Sequence, residues 1–228
     1  MAQDYLKVIW TATEWGGPSI ATKALADRFG TTQANVSKTV KRLADQGLVE
    51  YHPYRPVLLT ARGSQLALAM VRRHRLVETF LVTTLGYGWN EVHDEAERLE
   101  HAVSDRMIDR IDQLLGHPEA DPHGDPIPRP DGMLPQPADT IRLQDAGPGT
   151  YTVVRIADTD PDVLDRLRVQ SIRPGTIIQV ETNATTVNVM LATGPSGHHL
   201  SENDAAAIRV RSAERARRPS AREESTRP

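Results

Sequence analysis

Apolar residues recur at helical spacing through roughly the first half of the chain and at alternating spacing after residue 149, so the period of the pattern divides it into a helical part and a β part. Tyr5, Leu6, Ile9, Trp10 and Ala12 predict a helix over 5–14 that stops at Gly16-Gly17-Pro18. Ile20, Leu25, Ala26 and Phe29 predict a second over 19–29, ended by Gly30. Thr31 or Thr32 is placed to N-cap a third that reaches about Gln46, with Gly47 as its C-cap. Two short helices joined by a tight glycine-containing turn make a helix-turn-helix. The β-type runs 48–51 and 57–60, separated by His52-Pro53-Tyr54-Arg55-Pro56, read as a hairpin and complete a winged helix. A long helix is predicted over 62–84, broken at Gly86-Tyr87-Gly88, and a further one from Trp89 or Asn90 to about Leu115.

Residues 116–148 are rich in Pro, Gly and Asp and predict a linker or ordered loop without regular elements. Beyond them, 151–156, 176–182, 186–191 and 206–210 alternate apolar and polar residues around a helical piece at 161–169, which predicts a small β-barrel of the SH3-like kind. The fold class is mainly α with a small β part. Its segments are a winged helix-turn-helix at 1–62, a helical domain at 63–136, a linker at 137–148, the SH3-like domain at 149–211 and a disordered tail at 212–228.

Composition changes this picture only where charge is counted by segment. The chain has 228 residues, no Cys and a formal net charge of −3, which excludes disulfide frameworks and cysteine-ligated clusters. No apolar run approaches the roughly 18 residues of a membrane span, and the N-terminus lacks a basic n-region and cleavage site, so a cytoplasmic protein with no membrane partner is expected. Residues 1–73 hold ten Lys/Arg against five Asp/Glu, whereas 74–118 hold four Arg against nine acids. A basic head followed by an acidic segment predicts an anion-binding module joined to one that holds cations.

On the third predicted helix Val36, Val40 and Leu43 share one face, and Thr32, Gln33, Asn35, Ser37, Lys38, Lys41 and Arg42 lie off it. Amides, hydroxyls and cations on the N-terminal part of such a helix are the groups that meet base edges and phosphates in a major groove. Tyr54 and Arg55 at the hairpin tip add a wing contact to double-stranded DNA. A solvated polar face is the plainer explanation for an isolated helix, and the adjoining hairpin is what favours DNA.

The acidic segment carries the more specific signal. His74 and Glu78 are four apart on one helix, and His93, Glu97 and His101 are spaced i, i+4, i+8 on the next, with Glu100 beside them. A four-residue step turns about 400°, so each stripe stays on one face. Buried carboxylates repel one another unless a divalent cation lies between them, so the two stripes predict a metal centre. A zincin is not supported, because no His-Glu-x-x-His is present, and a diiron bundle would require a Glu-x-x-His on each of two helices. A metalloenzyme whose winged helix makes only protein contacts stays open as the alternative.

Asp4-Tyr5-Leu6, the run from Met70 to Leu76, the run from Val92 to Asp105 and the run from Asp121 to Pro128 together resemble the diphtheria toxin repressor family of metal-dependent transcriptional repressors, over nearly the whole chain. The resemblance implies a homodimeric, non-enzymatic repressor with a winged helix, a helical dimerisation and metal domain and a C-terminal SH3-like domain. It implies a primary metal site of Asp4, Glu97, Glu100 and His101, with His74 contributing. It implies a second site drawing on Glu78, His123 and His93, with Asp121 where some relatives place a Cys, and Asp160 as the acid from the SH3-like domain. Iron-responsive members have Met and Cys at the positions of Asp4 and Glu97. Carboxylates there favour Mn(II), two ions per subunit, with Fe(II) as the alternative. By the same resemblance, metal-loaded protein binds palindromic operators and represses manganese-uptake genes when metal is plentiful.

Overall fold

The computed structural model describes residues 2–53, 55–89, 91–135, 139–183, 186–191 and 197–213. The chain divides into two compact units, residues 1–76 with 127–134, and 77–126 with 135–228.

In the first unit, α1 (Ala2–Glu14), α2 (Thr22–Arg28) and α3 (Gln33–Asp45) precede a two-stranded antiparallel ribbon, β1 (Val49–Glu50) and β2 (Leu58–Leu59), in which Val49 pairs with Leu59. Leu6, Ile9, Leu25, Val36, Val40, Leu43 and Val57 form its core, and the Tyr5 and Phe29 rings stack at 4.2 Å. Helix α2 starts three residues later than its apolar pattern suggests. The Ile20 carbonyl accepts a hydrogen bond from Val57 N and Ala21 is extended at the N-cap, so residues 19–21 brace the wing instead of entering the helix. Gly47 takes φ +70° after α3, a left-handed turn that favours glycine. Thr60 Oγ1 donates to Gly47 O and accepts from Gly63 N, capping α4 (Ala61–Leu85) against the base of the ribbon. Gly63 passes so close to β1 that a Cβ would strike the Leu48 carbonyl.

In the second unit, the helix predicted to run unbroken to Leu115 is two helices, α5 (Val92–Leu99) and α6 (Asp105–Leu114). The break has a physical cause. Ser104 takes an extended backbone and its Oγ accepts from Met107 N, an N-cap that starts a new helix. The i, i+4, i+8 stripe therefore holds only for His93 and Glu97, and His101 lies beyond the C-cap at Glu100.

The β part is a six-stranded antiparallel sheet of order β3-β8-β4-β5-β6-β7. Its strands are β3 (Ile141–Arg142), β4 (Gly149–Ile156), β5 (Ile177–Asn183), β6 (Thr186–Leu191), β7 (Gly197–Leu200) and β8 (Ile208–Ser212). Helices α7 (Pro161–Val169) and α8 (Glu202–Ala206) add to it, and Leu143, Val153, Ile156, Leu164, Leu167, Ile178, Ile208 and Val210 fill the core. Part of the stretch read as linker belongs to the sheet: Ile141 pairs with Val210 and a 3₁₀ turn follows at Leu143–Asp145. A short register shift between Val153 and Arg155 returns Ile156 to the core face opposite Ile208. The residues read as a tail lie outside the described residues from 214 on.

Candidate metal centre and nucleic-acid interface

The hydrophobic spacing of α3 fixes which of its side chains reach solvent. Val36, Val40 and Leu43 are fully buried, which leaves Thr32, Gln33, Asn35, Lys38, Lys41 and Arg42 exposed and Ser37 half-buried. Thr32 Oγ1 accepts from Asn35 N, and Asn35 Nδ2 donates to Thr31 Oγ1 at 3.2 Å. These bonds order the helix N-terminus, the part of a recognition helix that meets base edges. Arg55 is exposed beside the wing, and Tyr54 lies outside the described residues.

The candidate metal ligands of the second unit converge on Glu78. This carboxylate is fully buried on α4. Its Oε1 is 3.2 Å from His93 Nδ1, and its Oε2 is 3.9 Å from His123 Nδ1. His93 Nδ1 also stands 3.4 Å from Asp158 Oδ2, while Glu97 Oε1 is 3.5 Å from His93 Nε2, one turn along α5. Donor atoms of Glu78, His93 and Asp158 lie within 4.8 Å of one another, as do those of Glu78, Asp121 and His123. His74 is buried one turn before Glu78 on α4. Asp4 is half-buried in the first turn of α1. Glu100 is buried, with Oε1 3.4 Å from His101 Nε2.

Local bonds orient two of these ligands. His123 Nε2 lies 2.7 Å from the Trp89 carbonyl, so this nitrogen donates to it, and Nδ1 is left on the side of Glu78. The Trp89 ring stacks on His123 at 5.6 Å, and Asp121 Oδ1 accepts from His123 N and Asp125 N. Both imidazoles respond to the carboxylates. Burial works to lower the pKa of His93, but the hydrogen-bonded carboxylates of Asp158, Glu78 and Glu97 outweigh it and hold the ring at about 12. Burial likewise opposes charge on His123, and Asp121, Glu78 and Asp158 raise its pKa despite it. The Asp158 carboxyl is desolvated yet held below its ordinary range by His93. Three carboxylates and two imidazoles, one ring strongly cationic, make a donor set that could hold a divalent ion in place of a proton.

The structure corrects the acid expected from the β part. Asp160 Oδ1 accepts from Asp162 N and Val163 N as the N-cap of α7, with Pro161 at the first helical position. Asp158, two residues earlier, is the carboxylate at His93. The signal was present in Asp160-Pro161, since Asp before Pro marks a helix start and commits that carboxylate to the backbone. Asp158→Ala is expected to weaken metal binding at this centre at least tenfold, whereas Asp160→Ala costs about 1 kcal/mol of stability with metal affinity intact. Calorimetric titration of both variants separates these outcomes.

Comparison with known proteins places this arrangement. Residues 1–57 match the model of the iron dependent repressor N-terminal DNA binding domain, residues 60–129 that of the iron dependent repressor metal binding and dimerisation domain, and residues 141–212 that of the FeoA domain. The chain belongs to the iron-dependent repressor family. It is 33% identical over 190 residues to the iron-dependent repressor IdeR of Mycobacterium tuberculosis, covering 78% of this chain and 82% of that protein. It is 34% identical over 182 residues to the diphtheria toxin repressor of Corynebacterium diphtheriae, covering 80% of this chain and 75% of that one. Among solved structures, it is similar to a manganese-dependent transcriptional repressor in complex with manganese, with 48% identity, a TM-score of 0.87 and coverage of 93% of this chain and all of that one. The manganese regulator SloR matches at 30% identity and a TM-score of 0.75, over 92% of this chain and 98% of that one. The family is one of transcriptional repressors, and its C-terminal FeoA domain coincides with the six-stranded sheet. Among the described residues no helix is long and apolar enough to cross a membrane.

Proposed function

We propose that this family member is a Mn(II)-activated homodimeric repressor that binds a palindromic DNA operator in the cytoplasm and represses manganese uptake when the metal is plentiful. The observation that carries the reading is the donor set around Glu78, which among the described residues holds carboxylate oxygens and imidazole nitrogens, on a chain without Cys that also exposes the polar face of a winged helix. Hard oxygen donors suit Mn(II), and selectivity over metals that bind more tightly then rests on geometry and supply. Two ions per subunit are assigned. Glu78, His93, His123, Asp121 and Asp158 hold one, and on the family resemblance Asp4, Glu97, Glu100 and His101, aided by His74, hold the other. No residue is given a catalytic role.

The mechanism follows from linkage. On the family resemblance, Asp4 of α1 and Glu97, Glu100 and His101 would hold one ion in common, which would restrain the recognition helices of a dimer at the spacing of successive major grooves. DNA affinity then rises with metal by the coupling between the two events.

Fluorescence anisotropy of DNA taken from upstream of the protein's own gene and of neighbouring metal-transporter genes, with Mn(II), Fe(II) and Zn(II) titrated after chelation, tests this. Tightening at lower free Mn(II) than Fe(II) is expected. The reverse order would assign the protein to iron, as the names of its curated relatives suggest, and a tight metal complex indifferent to DNA would sink the repressor reading.

A further inference from the structure

The outer face of the sheet carries a row of arginines that the metal centre and the DNA-binding helix do not use. Arg142 of β3 pairs in register with Arg209 of β8, and Arg209 pairs in register with Arg155 of β4. Direct cross-strand partners share a face, and adjacent strands are about 4.8 Å apart, so the three side chains stand side by side across three strands. Val210 and Ile208 alternate with Arg209 into the core, which fixes the arginines on the opposite side. Arg211 follows on that same face of β8, opposite Thr152.

The electrostatics of this row are those of a site for negative charge. The charges acting on the Arg209 guanidinium, after its desolvation, are first Arg155 and Arg142, which repel it, and last Asp125, which attracts it; the pKa of Arg209 is lowered as a result. Asp125 forms an ion pair with Arg155, held by the loop whose Gly124 passes against the Val154 carbonyl. That carboxylate belongs to the end of the row. Arg142 is exposed at the other end, and among the described residues the buried Nε of Arg211 makes no hydrogen bond. Planar guanidiniums set side by side match the paired oxygens of a phosphate, which they bind by two parallel N–H···O bonds.

We propose that Arg142, Arg209 and Arg211, beside the Asp125-paired Arg155, form a phosphate-binding site on the C-terminal sheet, built from residues that neither the metal centre nor the recognition helix uses. Its ligand is a phosphate group, supplied either as free phosphate or by a DNA backbone outside the operator contact. The free-phosphate arm does not depend on the repressor reading. The DNA arm does.

Two titrations of the full-length chain test it, using wild type, Arg142→Gln and Arg142→Gln/Arg209→Gln. In the first, inorganic phosphate is titrated into metal-free protein by calorimetry at constant ionic strength. In the second, anisotropy of a long duplex is measured against salt with metal present. Saturable phosphate binding that falls about tenfold or more in the variants assigns the site to free phosphate. A salt slope that falls by about 0.9 for each lost phosphate contact, without free-phosphate binding, assigns it to the DNA backbone. If wild type and variants agree in both titrations, the proposal is overturned. Arg142 is exposed on a two-residue strand, so its single variant decides the matter even if the double variant fails to fold.

Discussion

Raising the pH from about 6 to about 8 is expected to tighten Mn(II) binding at the Glu78–His93 centre about a hundredfold, tenfold for each unit. The reason is the proton on His93. Burial alone would strip it, but Asp158, Glu78 and Glu97 hold the ring at about 12, so over the whole neutral range the metal-free imidazole is a cation. A metal ion binds the neutral ring, so each ion that enters expels one proton. The same shift sets the stability of the metal-free protein. The folded pKa is raised above the ordinary 6.5, so the contribution is complete below that value and is lost as pH climbs toward 12. Calorimetry in buffers of different ionisation enthalpy counts the proton directly. Release of no proton, or an affinity flat between these pH values, would show that His93 is not a ligand.

Asp4→Ala and Glu100→Ala are each expected to remove metal activation of DNA binding, a loss of roughly 5- to 150-fold at saturating Mn(II), with the weak metal-free affinity retained. Asp4 is half-buried near the start of α1, ahead of the core residues Tyr5, Leu6 and Ile9, so its truncation leaves the packing of the winged helix in place. Glu100 is buried at the end of α5 beside His101, and its loss takes away a carboxylate of the proposed activating site while Ala96 and Val92 still anchor the helix. Anisotropy with the operator, alongside circular dichroism and size-exclusion chromatography, distinguishes a lost ligand from a lost fold. A folded dimeric Asp4→Ala protein that still responds normally to Mn(II) would remove Asp4 from the activating site. Variants at Glu78 or Asp158 touch the second proposed site, so their effects on DNA binding need not match.

Much of the architecture was legible before any coordinates because it is local. Thr32 could cap only the helix that follows it, Gly47 could turn only the chain that precedes it, and the 3.6-residue spacing of Val36, Val40 and Leu43 left the DNA-facing side chains no other direction. The stripes of His and Glu likewise announced a cation, since like charges so closely spaced are not buried without one. Errors arose where two local signals competed. The apolar period ran on through residues 100–104, and the Ser104 cap interrupted it. Asp158 and Asp160 offered the same functional group two residues apart, and Pro161 settled which of them served the backbone.

The sequence by itself determined the winged helix and the polar face of its third helix, and it singled out the His and Glu residues that gather around Glu78, because propensity, capping and periodicity act within a few residues. Only the tertiary structure decided that Glu78 stands between His93 and His123, that Asp158 and not Asp160 completes that group, and that three arginines from strands far apart in the chain line up on one face. Those facts depend on strand register and on loops returning to α4, long-range pairings fixed by burial of the whole core.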